Sequence, residues 1–132
     1  METRRPADVT QIIFKTSDYW GNGVSLPHGT WDHVLRSHPE MRDKLDLIGE
    51  VVTNPHLISE SSIQKNTLIF DGYNRVPQSS RIMRVVVRYE DRTAVESGST
   101  NGNITTAYGP LTADTGKLGK VIYFAGLQRH SK

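Results

Sequence analysis

The chain has 132 residues, no cysteine and a net charge of +2. This length fits one domain with its own core. The lack of cysteine excludes a disulfide scaffold, a thiolate zinc finger and a cysteine nucleophile. No segment has the roughly 18 apolar residues of a membrane-spanning helix, and the polar first residues are not a secretory signal, so we expect a soluble, cytoplasmic protein. Residues 1–66 carry seven Lys and Arg against nine Asp and Glu, whereas residues 67–132 carry nine against five, so the basic character belongs to the second half.

The predicted elements begin with a strand from Val9 to Thr16, built of β-branched and aromatic residues. A loop with three glycines follows, from Ser17 to Gly29. Thr30 is the predicted N-cap of a first helix, which has an apolar face with helical spacing and ends before Pro39. A second helix runs from about Glu40 to Thr53, with apolar residues at offsets of four, three and four.

Beyond Pro55 the apolar period changes from 3.6 to two, which predicts strands. These strands are His56 to Ser59, Thr67 to Tyr73, Ile82 to Tyr89, Thr93 to Glu96, Asn103 to Tyr108 and Lys120 to Phe124. Helices before a run of strands predict an α+β fold, with the helices packed on one face of a mainly antiparallel sheet. No repeat or linker interrupts the chain, so we expect a single domain over residues 1–132 with flexible ends at 1–8 and 125–132.

The predicted strand from Ile82 to Tyr89 gives the first indication of function. Alternation places its odd-numbered residues toward the helices and places Arg84 and Arg88 on the opposite, open face, with Arg81 just before them. Guanidinium groups on a sheet face bind phosphate well, although exposed strands also carry arginine for solubility. The strand alone leaves both interpretations open.

Three histidines, His28, His33 and His38, are spaced by five residues. Five helical residues leave neighbouring side chains about 140° apart, so they do not form the i, i+4 pair of a zinc site. His33 is predicted to be exposed, and His38 lies in the last helical turn, where the helix dipole favours its cationic form. Each histidine is therefore either an ordinary structural residue or a general acid or base.

Three further polar residues, Thr105, Thr106 and Tyr108, share one predicted strand. Threonine and tyrosine are ordinary strand residues, but their hydroxyls could hold a phosphate oxygen. No Gly-x-Ser-x-Gly elbow, Walker-type loop or dinucleotide fingerprint is present, which argues against hydrolases of that kind, nucleoside-triphosphate enzymes and dehydrogenases.

Several segments, taken together in their order along the chain, resemble the phage-type and toxin-type members of the barnase, EndoU, colicin and RelE superfamily of small ribonucleases. They are Thr30 to Glu40 with its His-x-x-x-x-His-Pro motif, Asn54-Pro55, the basic central strand, and Thr105 to Tyr108. The similarity covers a ribonuclease-like core over residues 30–124. It implies two N-terminal helices followed by a four- or five-stranded, mainly antiparallel sheet. It also implies a metal-independent endoribonuclease, a toxin or phage effector, that cleaves RNA by attack of the ribose 2′-hydroxyl on the adjacent phosphate.

The resemblance also implies roles for particular residues. His33 matches the first histidine of the motif and is the leading general base or acid, while His38 matches the second and positions it or shares the proton transfers. The other implied residues are Arg84 and Arg88 for the scissile phosphate, Arg81 for binding RNA, Thr106, Tyr108 and Thr105 for orienting phosphate or base, and Tyr73 for stacking on a base. The barnase-like glutamate base has no obvious equivalent.

No cofactor or metal is expected, because histidine, arginine and hydroxyl groups suffice for this reaction. The expected partners are RNA, as a single strand or a tRNA loop, and a cognate antitoxin or immunity protein. The alternative is a binding module that keeps the fold without the chemistry and contacts RNA or a protein. A metal hydrolase using His28, His33, His38 and His56 is disfavoured by the helical spacing.

Overall fold

The structure is a computed structural model that describes residues 11–73, 82–110 and 116–125. Its elements in chain order are strands β1 (Ile12–Ser17) and β2 (Gly23–Pro27), helices α1 (His28–Ser37) and α2 (Leu45–Thr53), and strands β3 (Leu57–Ser61), β4 (Thr67–Tyr73), β5 (Ile82–Tyr89), β6 (Asn101–Tyr108) and β7 (Leu118–Phe124). The strands form one sheet in the order β1-β2-β6-β5-β4-β3-β7. Strands β2 and β6 run parallel, and the other described neighbours run antiparallel. The fold is therefore a mostly-sheet α+β fold.

The prediction of four or five mainly antiparallel strands after two N-terminal helices is wrong, because the sheet is mixed and has seven strands. Strands β1 and β2 form an antiparallel hairpin before the helices. Strand β2 lies inside the segment predicted to be a loop. Its Val24 and Leu26 are buried in alternation, but the Gly23 and Pro27 that bound it are residues typical of turns.

The predicted strand from Thr93 to Glu96 is also wrong, because a 3-10 turn, Arg92–Ala94, occupies this segment. The side chain of Asp91 accepts hydrogen bonds from the backbone N–H of Thr93 at 3.0 Å and from its hydroxyl at 2.7 Å. Aspartate commonly closes a turn in this way. The local hydrogen bonds therefore outweigh the β propensity of the threonine and valine in this segment.

Helix α1 begins earlier in the chain than predicted, and helix α2 begins later. Helix α1 begins at His28, before the predicted cap Thr30, with Pro27 at its N-cap position and no side-chain cap hydrogen bond. The predicted helix from Glu40 to Thr53 is divided into a 3-10 turn, Pro39–Met41, and the nine-residue α2. Among the described residues, no helix is long and apolar enough to cross a membrane.

Both helices pack on one face of the sheet, α1 against β2 and β6, and α2 against β1, β4 and β5. The predicted alternation in β5 is confirmed on this face, where its odd-numbered residues are buried in the core. These are Met83, Val85, Val87 and Tyr89, which join Ile48, Val51 and Val52 of α2 and Leu68 and Phe70 of β4. The helices therefore do not cover the opposite face of the sheet.

That opposite face is not open at its centre. Ile69, Asp71 and Arg84 point away from the helices and are at most 3% exposed, whereas Arg88 is exposed. The expectation of two free arginines on an open face is therefore wrong for Arg84, although Arg88 meets it. The cause is an ion pair that crosses from β5 to β4.

A second buried carboxylate ties the turn between β1 and β2 to the core. Asp18 accepts hydrogen bonds from the backbone of Trp20 and Asn22, from the Asn22 amide at 2.8 Å and from the Tyr89 hydroxyl at 2.6 Å. The Asn22 amide also donates to the carbonyl of Val95. Because four donors converge on Asp18, this turn is fixed against β5 and the segment that follows it.

The Asp18 contact predicts an alkaline loss of stability. Burial, and then the hydrogen bond and charge of Asp18, raise the pKa of Tyr89 above its ordinary value near 10. Above that pH the unfolded chain loses the proton while the folded chain keeps it, so the free energy of unfolding falls as pH rises, by about 1.4 kcal/mol per pH unit for this group. Urea titrations of the protein and of Tyr89→Phe at several alkaline pH values measure this. An equally steep fall in Tyr89→Phe would contradict it.

Candidate functional site

A groove lies on the sheet face opposite the helices, between the β3–β4 hairpin and strands β5 and β6. Its volume is about 650 Å³, within the usual range of ligand sites. Four cationic side chains line it. They are Lys65 from the hairpin, Arg84 and Arg88 from β5, and Lys117 before β7, and none of the described lining residues is Asp or Glu. The groove is therefore suited to an anion.

A local irregularity of β6 adds hydroxyl groups to the groove. Val86 pairs with Thr106 and Val87 pairs with Ile104, so Thr105 is the extra residue of a β-bulge. Bulges redirect side chains beside functional sites, and here both Thr105 and Thr106 line the groove. Tyr108, two residues further along β6, lines it as well.

A polar ladder crosses three strands at one end of the groove. Asp71, Arg84 and Tyr108 are direct register partners on β4, β5 and β6. Nε and Nη2 of Arg84 donate to the two carboxylate oxygens of Asp71 at 2.8 and 3.1 Å. Burial opposes the charged form of Arg84, but its hydrogen bonds and charge interactions with Asp71, and then with Tyr108, outweigh burial and raise its pKa. Arg84 is therefore permanently charged, but Asp71 balances its charge.

His38 joins this ladder through Tyr108. It is the C-cap residue of α1, and its backbone N–H donates to the carbonyl of Val34. Its ring stacks on that of Tyr108 with 5.1 Å between centroids and 17° between planes. Its Nδ1 lies 3.7 Å from a carboxylate oxygen of Glu40, which is beyond hydrogen-bond distance but places negative charge on the Nδ1 side.

A second histidine lies on the other side of Arg84. The rings of His56 and Tyr73 are nearly parallel, with 5.1 Å between centroids, and Nδ1 of His56 accepts the backbone N–H of Tyr73 at 3.0 Å. Burial, and then the charge of Asp71, raise the pKa of Tyr73, while Arg84 lowers it in part. Because Nδ1 of His56 is an acceptor, a neutral His56 ring carries its hydrogen on Nε2.

The structure brings together most of the residues that the sequence singled out. Five line the groove: Arg84, Arg88, Thr105, Thr106 and Tyr108. His38 contacts the groove-lining Tyr108, and Tyr73 lies beside Asp71 without lining the groove. His33 is an exposed residue of α1 and does not line the groove. Arg81 lies outside the described residues.

Three residues of the site were not predicted from the sequence: Asp71, Lys65 and Lys117. His56 was considered only as a residue of the disfavoured metal hydrolase. Asp71 carried a signal, because a charged residue inside the apolar strand Thr67–Tyr73 needs a buried partner. The two lysines lie in segments that read as ordinary polar turns. Only the fold brings them to the same groove as Arg88.

Within the described ranges, no three His, Cys, Asp or Glu side chains come close enough together to hold a metal ion. Comparisons with protein families, with curated proteins and with solved structures gave no match.

Proposed function

We propose that the protein is a metal-independent endoribonuclease that binds single-stranded RNA in the groove and cleaves it by attack of the ribose 2′-hydroxyl on the adjacent phosphate. The observation that carries this proposal is that four lysine and arginine side chains and the hydroxyls of β6 line one groove. Beside the groove, the ring of His38 stacks on that of Tyr108. The motif similarity to small ribonucleases supports the same reaction.

The cations of the groove suit a phosphodiester. Arg88, Lys65 and Lys117 supply positive charge with no acidic residue among the described lining residues, and Thr106 supplies a hydroxyl donor. The balanced charge of Arg84 makes it a poorer phosphate ligand than the sequence suggested. A groove of this volume admits one nucleotide or a short single-stranded segment, whereas a duplex would meet it only with its backbone.

His38 is the favoured general base because it contacts Tyr108. It would accept the proton of the 2′-hydroxyl as the 2′-oxygen bonds to phosphorus. The bond from phosphorus to the 5′-oxygen then breaks, and the departing oxygen takes a proton from water while His38 returns its own to solvent. The products are a 2′,3′-cyclic phosphate and a 5′-hydroxyl end. Positive charge in the groove would stabilise the phosphorane oxygens.

The choice between the two histidines of α1 is directly testable. We expect His38→Ala to lower the rate of RNA cleavage by about 100-fold, and His33→Ala to have a much smaller effect, since His38 stacks on the groove-lining Tyr108 whereas His33 is an exposed residue of α1. The measurement is cleavage of cellular RNA and tRNA in EDTA by both variants, with Tyr19→Phe as a control at an exposed tyrosine. A larger loss in His33→Ala than in His38→Ala would contradict the assignment.

A binding module without catalysis is the second candidate, favoured by the balanced charge of Arg84 and by the absence of His33 from the described groove lining. RNA affinity without cleavage would support it. The slope of log affinity against log salt should then become shallower by about one charge in Arg88→Ala, because counterion release follows phosphate contacts. Affinity that does not depend on salt would argue against RNA as the ligand of this groove.

A further inference from the structure

The ladder of Asp71, Arg84 and Tyr108 is an unusual feature for the middle of a sheet. Both members of the ion pair are at most 2% exposed, and the cost of removing two charges from water makes such a pair a weak source of stability. Buried charged groups beside a cleft are more typical of functional sites. Here the pair lies directly beside a groove-lining tyrosine in register on the next strand.

The chemistry of the three groups determines where a proton points. Arg84 and Tyr108 are direct register partners, and arginine has only donors, so a hydrogen bond between them runs from the guanidinium to a lone pair of the phenolic oxygen. A phenolic hydrogen lies close to the plane of the ring, so in that arrangement it points to the side of the C–O bond that faces away from Arg84. Because Asp71 fixes the guanidinium with two hydrogen bonds, Arg84 cannot turn to release this constraint.

We propose that Asp71, acting through Arg84, holds the hydroxyl of Tyr108 with its proton directed into the groove, where it donates to a nonbridging oxygen of the bound phosphodiester. This inference rests on the proposed function and extends it. Tyr108 is then a catalytic residue, since it touches the phosphate whose charge grows during attack. Asp71 is a positioning residue, since it acts through Arg84. No proton is transferred in this step, and the hydrogen bond only strengthens as negative charge develops.

The expected effects follow from the loss of one preorganised donor. Tyr108→Phe should lower kcat about 100-fold and weaken binding of a 2′-O-methyl RNA oligonucleotide, which cannot be cleaved by this route, by about tenfold. Asp71→Asn should lower kcat by about tenfold, since the Tyr108 hydroxyl remains but is held less firmly. Tyr19→Phe, at an exposed tyrosine between β1 and β2, is the matched control.

A double-mutant cycle tests whether Asp71 acts through Tyr108. In the Tyr108→Phe background, we expect Asp71→Asn to change kcat and oligonucleotide affinity by less than about twofold, because the group that it positions is absent. A merely structural role would give the same loss in both backgrounds. Circular dichroism and thermal melts verify folding, and Arg84→Lys replaces Asp71→Asn in the cycle if the latter does not fold at the assay temperature.

The outcomes separate this inference from the proposed function. Additive effects in the cycle, or full kcat and affinity in Tyr108→Phe, would overturn the role of the ladder while leaving the ribonuclease intact. Protein that binds the oligonucleotide but does not cleave RNA would overturn the proposed function, and the cycle measured on affinity would still test the ladder. Protein that neither binds nor cleaves RNA would overturn both.

Discussion

Replacing Asp71 with leucine should lower the free energy of unfolding by about 3–5 kcal/mol, because it removes the carboxylate that pairs with the buried charge of Arg84. The two side chains are each about 2% exposed and share two hydrogen bonds. The lost stability would be regained only if the Arg84 guanidinium reached solvent, but this side chain lies on the central strand of the sheet. Denaturant titration followed by circular dichroism measures the change.

The double variant Asp71→Leu with Arg84→Met is the control for this interpretation. Removing both charges removes the desolvation cost as well, so most of the lost stability should return. Cleavage should remain weak, since the groove lacks the ladder that positions Tyr108. A double variant as unstable as Asp71→Leu alone would show that the loss comes from packing rather than from removing the carboxylate beside the buried Arg84 charge.

Replacing Asp18 with alanine should have an effect of similar size, about 3–4 kcal/mol, because buried donors would lose their acceptor. The Tyr89 hydroxyl, the Asn22 amide and two backbone N–H groups all donate to this carboxylate. The β1–β2 hairpin should loosen first, which faster hydrogen exchange at Asn22 would detect.

Asp91→Ala is the matched control for Asp18. The side chain of Asp91 also closes a turn, by accepting hydrogen bonds from the backbone N–H and the hydroxyl of Thr93. Unlike those of Asp18, these hydrogen bonds are exposed to solvent. Water replaces the lost acceptor there, so the change in stability should be much smaller. Equal losses in the two variants would mean that burial does not set the cost of removing the Asp18 carboxylate.

The sequence predicted the parts of the fold that depend on local period. The alternation in β5 placed Val85 and Val87 toward the core correctly, because a strand whose side chains alternate in polarity has only one way to bury them. Strand β2 was not predicted from the sequence. One of its two neighbours in the sheet is β6, which is nearly 80 residues further along the chain, as the pairing of Gly23 with Asn101 shows. A parallel pairing at that distance leaves no local signal.

The site was predicted in part for a similar reason. The apolar face of the first helix predicted that His33 is exposed, which is confirmed, but it did not show that His38 meets Tyr108 of β6. The pairing of Asp71 with Arg84 depends on the register of β4 and β5, which the connection between them sets. The sequence therefore identified residues with suitable chemistry but not the ion pair that changes the role of Arg84.

The most direct test of the account compares an RNA oligonucleotide with the same oligonucleotide fully 2′-O-methylated, both incubated with the protein in EDTA. If cleavage proceeds by attack of the 2′-hydroxyl, only the unmodified RNA is cleaved, leaving 2′,3′-cyclic phosphate and 5′-hydroxyl ends, while both oligonucleotides bind. Cleavage of the methylated strand, 5′-phosphate ends, or intact RNA after incubation with saturating protein would contradict it.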